Sequence, residues 1–452
     1  MTSRTVTRLL VDLTNGKVSA SALVDEALAR IQDPNGEGKR AFIRLYENQA
    51  RALAAAHDMM GESGAPRPLR GIPISVKDLF DIAGETTTAG SIVLRKAEKA
   101  GRDARIVARL RAAGAIVIGT TNMSEFAFGG VGTNGHYGTP GNPHDRSLIP
   151  GGSSSGAAVS VADGMCSIAI GTDTGGSVRI PAAFCGLVGF KPTQVRICRQ
   201  GALPLSRTLD SIGPIGRTAK DCALIDSIMS GDEHTVSAGR PLDRVRFAIP
   251  ETMVCEGLSP EVADAFTRAC KALEKRGARL ANVKMPEIAE APVLNSEFSP
   301  TEAYALYRDL LSLRESDFDP RVGKRILLRG SNVAAYQYLD MLERRALLIG
   351  KFSRSMQGFD AFLMPTLPFS APKIASVERD DDYLRINAQI VRNPCVVNQV
   401  DGCGVTLPVG SSGAPVGITI AGLQNSDRNI LAIAISAEEI FKTSGGPPEA
   451  NV

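Results

Sequence analysis

The 452-residue chain has no tryptophan, only four histidines, and almost no net charge, with Lys+Arg 51 against Asp+Glu 48. Each shortage removes a class of function. His57, His136, His144 and His234 are dispersed, and the eight-residue step from His136 to His144 in a glycine-rich loop is no metal-ligand spacing, so neither metal nor cofactor is predicted. A formal charge of +3 without a basic run gives nucleic acid binding no support. No apolar stretch approaches the roughly 18–20 residues of a membrane span. Leu9-Leu10-Val11, followed at once by Asp12, is too short for a secretory core. The eight cysteines, at 166, 185, 198, 222, 255, 270, 395 and 403, form no C-x-x-C pair, which predicts reduced thiols in a cytoplasmic protein. Scarce histidine also means that any serine nucleophile needs another base.

Hydrophobic residues make up 43% of the chain, ample for a large core. Residues 5–61 read as helices, with Ser19 or Ser21 capping a segment whose Val24, Ala27, Leu28 and Ile31 recur at helical spacing. Ile72 to Val76 reads as a buried strand ending at Lys77 and Asp78. Asp103 to Gly114, then Ala115 to Gly119, is a helix-then-strand pair of α/β type. Helices follow at Thr218–Met229 and Pro260–Lys275, with strands at Val245–Ile249, Arg279–Val283, Asp360–Met364, Gly404–Val409 and Val416–Ala421. A charged helical region fills 300–357, a closing helix runs from Asp427 to Lys442, and 444–452 reads as a flexible tail. The 1–65 helices pack on the core, and the whole 1–452 chain reads as a single domain.

Chemistry concentrates between Pro150 and Pro192. The apolar run Cys166 to Ile170 is a buried strand, and Val178 to Phe184 a short helix. Between them, Thr174-Gly175-Gly176-Ser177 turns without a Cβ at its two glycines, so a substrate can approach the N–H groups of Thr174 to Ser177. Converging donors suit an oxyanion. A second turn, Gly151-Gly152-Ser153-Ser154-Ser155-Gly156, opens the helical segment Ala157 to Ala162. The loop from Gly119 to Gly152, with nine glycines and three prolines, reads as the wall that delivers Ser153. Met123, Phe126, Phe128, Tyr137 and Ile149 within it either line a pocket or plug the loop to the core. Lys77, likewise, either belongs to the site or is salt-bridged to Asp78.

Two rival motifs fail on context. Gly152 to Gly156 matches G-x-S-x-G, but 145–150 is a poor strand and only His234 follows. Ser370-Ala371-Pro372-Lys373 matches S-x-x-K, but Pro372 spoils the helical turn.

Taken together, Lys77 in Ile74-Ser75-Val76-Lys77-Asp78, Gly151-Gly152-Ser153-Ser154 and Asp173-Thr174-Gly175-Gly176-Ser177-Val178-Arg179 resemble the amidase signature family in order and spacing, from about Leu23 to the last helix. The resemblance implies a mixed twisted β-sheet covered by helices on both faces, with the site at the strand ends and 300–357 shaping the substrate entrance. It implies a Ser–cis-Ser–Lys triad of Ser177, Ser153 and Lys77, with a cis bond at Gly152–Ser153 and an oxyanion hole from Thr174, Gly175, Gly176 and Ser177. Ser154, Asp173 and Arg179 fit supporting roles. Lys77 must then be neutral, which burial has to achieve.

The implied reaction is hydrolysis of a C–N acyl bond through acyl-Ser177. Because the expected pocket side chains carry no charge, the expected substrate is a small, largely apolar amide or carbamate, cleaved by a monomer or homodimer. The alternative is the glutaminase subunit of a tRNA-dependent amidotransferase, which must hold a zwitterion. Arg308, Glu315, Arg325 and Arg329 in the helical region could serve it. An inactive binding protein on the same fold is the third reading.

Overall fold

Short runs of branched and small apolar residues recur from one end of the chain to the other, and eleven of them meet in one sheet. The computed structural model describes residues 4–60, 67–410 and 413–443; the expected tail at 444–452 lies outside them. The strands are β1 (Phe42–Leu45), β2 (Pro73–Lys77), β3 (Ile116–Thr121), β4 (Ile168–Asp173), β5 (Val188–Lys191), β6 (Ser211–Gly216), β7 (Arg246–Pro250), β8 (Arg279–Val283), β9 (Ala361–Pro365), β10 (Cys403–Val409) and β11 (Val416–Gly422). Their order is β1-β3-β2-β4-β6-β5-β10-β11-β9-β7-β8. The sheet is mixed: β3, β2 and β4 run parallel, β4 meets β6 antiparallel, and β9, β7 and β8 are parallel again.

Side-chain alternation explains why both faces are covered. Ala361 and Leu363 of β9 join one apolar cluster with Ile418 and Ile420, while Phe362 and Met364 join another under the helices at Glu290–Arg314 and Ala335–Ser355. Phe352 meets Phe362 edge-on with ring centroids 5.2 Å apart. Burying an aromatic of this size contributes about 1.5–3 kcal/mol.

Ser19 caps the second helix, its hydroxyl accepting from Ala22 N–H at 3.0 Å, and Leu23, Val24, Ala27, Leu28 and Ile31 are buried. The all-helical reading of 5–61 fails at Phe42–Leu45, which pairs antiparallel with β3 as an edge strand. Four residues between helices are too few to show a period. β5 and β6 carry no legible strand pattern either, because their glycines and Pro214 mask it.

Candidate active site

β2 and β4 run parallel in the register Ile74↔Ile168, Val76↔Ile170, so their carboxyl ends reach the same edge of the sheet. Lys77 ends β2 and Asp173 ends β4. The helix Ser155–Ala162 packs beneath, with Ser160 and Ser75 hydroxyls 3.1 Å apart. Its amino end carries the first serine turn to Lys77.

Lys77 is fully buried and its Nζ lies 2.7 Å from Ser153 Oγ and 2.9 Å from Thr172 Oγ1. It is not salt-bridged to Asp78, whose carboxylate accepts instead from the Thr88 hydroxyl, Gly90 N–H at 3.1 Å and Thr120 hydroxyl at 2.9 Å. Burial takes Lys77 from its ordinary value near 10.5 down to about 7, opposed by the more distant charges of Asp210 and Asp173. Close to neutral pH, a large fraction of the amine therefore holds a lone pair.

The Gly152–Ser153 peptide is cis. Gly152 N–H donates to Gly130 O at 2.8 Å, and Ser124 N–H to Ser153 O at 3.0 Å, so the long loop grips this turn from both sides. A Cβ on Gly152 would fall 2.7 Å from Gly132 N, which leaves no room for a side chain. Ser154 N–H donates to Ser177 O at 3.3 Å, joining the two serine turns, and Ser154 Oγ donates to Thr172 O at 3.4 Å.

The second turn is organised by Asp173. Its Oδ1 accepts from Gly176 N–H at 2.9 Å and its Oδ2 from Val178 N–H at 3.2 Å, while Arg179 makes bonds of 3.0 and 2.9 Å to the two oxygens. Asn398 donates to Oδ1 at 2.9 Å. Burial alone would raise the Asp173 carboxyl, but the Arg179 guanidinium and these donors hold it at about 2. The expected four-donor oxyanion hole is reduced by one, since Gly176 N–H is committed to Asp173. The N–H groups of Gly175 and Ser177 have no acceptor among the described residues. Gly176 has φ +124, and a Cβ there would meet Pro394 Cβ at 2.5 Å.

Ser177 lines a cavity of about 190 Å³, with Thr174 and Gly175 beside it. This is below the roughly 300–1,000 Å³ of pockets for drug-sized ligands, so the compound that fits is small. Of the five loop residues expected there, only Phe128 is in the wall. Met123 is buried in the core and Phe126 packs against Tyr307 and Phe318, with centroids 4.7 and 5.2 Å away. Tyr137 sits under Arg95 near the surface, and Ile149 packs with Val131 and Ile180. These four are plugs: an apolar side chain in a long loop gains more by anchoring it than by facing a wet cavity. The expected apolar wall is also corrected by Arg325, Arg329 and Arg392, all of which line the cavity with Asn295 and Asn387. From the 300–357 region, Pro300, Arg325 and Arg329 contribute.

Several polar residues of the site were not singled out in the sequence. Thr172 is the second partner of Lys77. Asp210, its carboxyl raised by burial, accepts from the Thr174 hydroxyl at 2.6 Å and from Leu205 and Ser206 N–H at 2.8 and 3.0 Å. Glu125 accepts from Ser91 at 2.6 Å and Asp319 N–H at 2.7 Å, and lies 2.8 Å from His136 Nε2, tying the long loop to the helical region. Only Thr172, next to Asp173, could have been suspected. Among the described residues no three His, Cys, Asp or Glu side chains are grouped to hold a metal ion, and no helix is long and apolar enough to cross a membrane.

The chain and its fold are similar to those of known proteins. A relative from Symbiobacterium thermophilum, which is a glutamyl-tRNA(Gln) amidotransferase subunit, is 34% identical over 467 residues covering 94% of each chain. A crystal structure of an amidase superposes with a TM-score of 0.89 at 31% identity, covering 97% of this chain and 100% of that one. The corresponding amidotransferase subunit from Thermotoga maritima gives a TM-score of 0.78 at 28% identity, covering 96% and 93%. The Amidase family model matches residues 22–431, and the chain belongs to that family of enzymes acting on C–N bonds.

Proposed function

We propose that the protein cleaves the C–N bond of a small amide through an ester on Ser177, with Lys77 as base and Ser153 as proton bridge. The observation that carries this is the buried Lys77 Nζ, 2.7 Å from Ser153 Oγ and free of any carboxylate in hydrogen-bond reach. Neutral Lys77 takes the Ser153 proton while Ser153 takes that of Ser177, whose oxygen adds to the carbonyl. Gly175 and Ser177 N–H receive the negative oxygen, each such donor contributing about 2.7–4 kcal/mol. The relay then reverses, the leaving nitrogen departs with a proton, and water releases the acid from Ser177. Replacing Ser177 by Ala in a soluble, folded protein should abolish hydrolysis across a panel of amides; retained turnover would reject the assignment.

A second reading has specific support. The relatives at 33–34% identity are glutamyl-tRNA(Gln) amidotransferase subunits by name, and the likeness runs over nearly the whole of both chains. The charged cavity wall also removes the case for an apolar substrate. Under that reading the same centre releases ammonia from glutamine for a partner protein. Glutaminase activity that appears only with the other subunits would establish it, and efficient turnover of a simple amide by the isolated chain would reject it.

A further inference from the structure

The helix Ala335–Ser355 packs on Pro286–Ala289, Glu290–Arg314 and Pro394–Gln399, with Met341, Leu348 and Phe352 buried beneath it. Its outer side faces solvent with an unusual composition. Tyr336, Leu339 and Leu347 are 66%, 63% and 57% exposed. At 100° per residue these three share one arc of about 120° with Asp340, Glu343, Lys351 and Arg354, which are exposed as well. None of the four charged side chains has an ion pair or hydrogen bond among the described residues. Asp340 and Glu343 stand three apart, as do Lys351 and Arg354, so each end of the stripe sets like charges side by side, which is unfavourable in an isolated helix. The helix dipole favours Arg354 in the last turn, but Asp340 and Glu343 lie beyond the first turn, where its influence has faded. The order of the charges has a centre. Asp340 and Arg354 are each seven residues from Leu347, and Glu343 and Lys351 are each four from it. A two-fold axis through Leu347 therefore lays Asp340 of one copy against Arg354 of the other and Glu343 against Lys351, each pair occurring twice. Beside Leu347 is a surface hollow of about 330 Å³, lined in part by Ala289, Leu348 and Lys351, which has room for an incoming side chain. A Cβ on Gly350 would meet nothing nearer than Arg354 Nη1 at 3.8 Å, so the helix surface is low there too.

We infer that this face recognises itself: two copies of the chain pair through their Ala335–Ser355 helices, antiparallel about Leu347, with Tyr336 and Leu339 extending the apolar contact toward both ends. A second copy is the occupant because the stripe is complementary to its own reverse, whereas a different protein would have to present the same charges in that reversed order. The stretch from Asp340 to Arg354 is about 21 Å long, toward the small end of specific interfaces, so the dimer forms reversibly and comes apart on dilution. No described residue of this helix lines the cavity beside Ser177, and each copy keeps its own site.

Sedimentation velocity on the full chain, from about 1 to 200 μM, should show the wild type passing from monomer to dimer. Two variants reverse one half of the stripe each: an acidic one with Lys351→Glu and Arg354→Glu, and a basic one with Asp340→Lys and Glu343→Lys. Alone, each sets like charges against like at every pair across the axis and should self-associate at least about 100-fold more weakly than wild type. Mixed in equal amounts they should pair again, at least as tightly as wild type, because every contact across the axis then joins opposite charges. That recovery also shows both variants to be folded, and added salt should weaken it. A wild type that stays monomeric over the whole range overturns the proposal and leaves the stripe to a protein of another kind. Variants that remain dimeric on their own overturn it by placing the contact on another surface. So does a mixture that fails to pair.

Discussion

Two fully buried cations stand at the two serine turns, Lys77 against Ser153 and Arg179 just after Ser177, and the chain treats them in opposite ways. Arg179 is bonded through two nitrogens to Asp173 and by one of them to Asn398 at 2.7 Å. Its charge is matched, and it braces Gly176, Val178 and the turn that carries Ser177. Lys77 has only hydroxyls, Ser153 and Thr172, in reach, and burial takes it down to about 7. A buried cation with a carboxylate is a brace; one without can surrender its proton. Lys191 shows that burial alone does not make a base: at about 8, it donates to Pro192 O and Gly402 O at 2.8 and 2.7 Å, two carbonyls with no proton to give up.

The contrast can be broken at several points. Ser177→Ala removes the group that both cations serve and should lower turnover by at least about 10³-fold while leaving the thermal midpoint near wild type. Asp173→Ala strands Arg179 as an unpaired buried charge, a loss of about 3–5 kcal/mol in denaturant unfolding. A variant as stable as wild type would show that the pair is no brace. Thr172→Asp attempts the reverse, giving Lys77 the carboxylate it lacks. The amine should then stay protonated, and turnover at pH 7 should fall by about 10²-fold or more with recovery at higher pH. Thr172→Val merely deletes one hydrogen bond and should cost about tenfold or less.

The sequence made some of this legible and hid the rest for physical reasons. Ser177, Ser153 and Lys77 sit in motifs whose glycines and order are visible in one dimension, and long periodic segments such as Pro260–Lys275 declared themselves. Phe42–Leu45 did not, because an edge strand of four residues owes its existence to its pairing with β3. Asn295, on the helix Glu290–Arg314, and Asp210, directly before β6, come from segments far from the serine turns, and Arg325, legible only as one charge among several in the helical region, joins the cavity wall through the folding of Pro320–Gly330. Met123, Phe126, Tyr137 and Ile149 misled because loop anchors and pocket walls share one vocabulary of apolar residues.

Stability offers a further check on Lys77. Its folded value lies below that of the unfolded chain, so between about pH 7 and pH 10.5 the unfolded state binds more protons, and stability should rise with pH across that window. In Lys77→Met this contribution to the slope should vanish, and the variant should gain on wild type as the pH falls. Urea midpoints for both proteins, measured at intervals from pH 6 to 10, would show it; parallel curves would mean that Lys77 titrates as an ordinary lysine.

The most direct measurement is the titration of Lys77 itself, followed by carbon NMR of lysines labelled at Cε, with Lys77→Met identifying the resonance. One lysine signal absent from the variant should move with a midpoint near 7, in step with the acidic limb of the rate profile. A Lys77 signal that stays in the ammonium position to pH 10 would contradict the account, since a charged lysine cannot take the proton from Ser153.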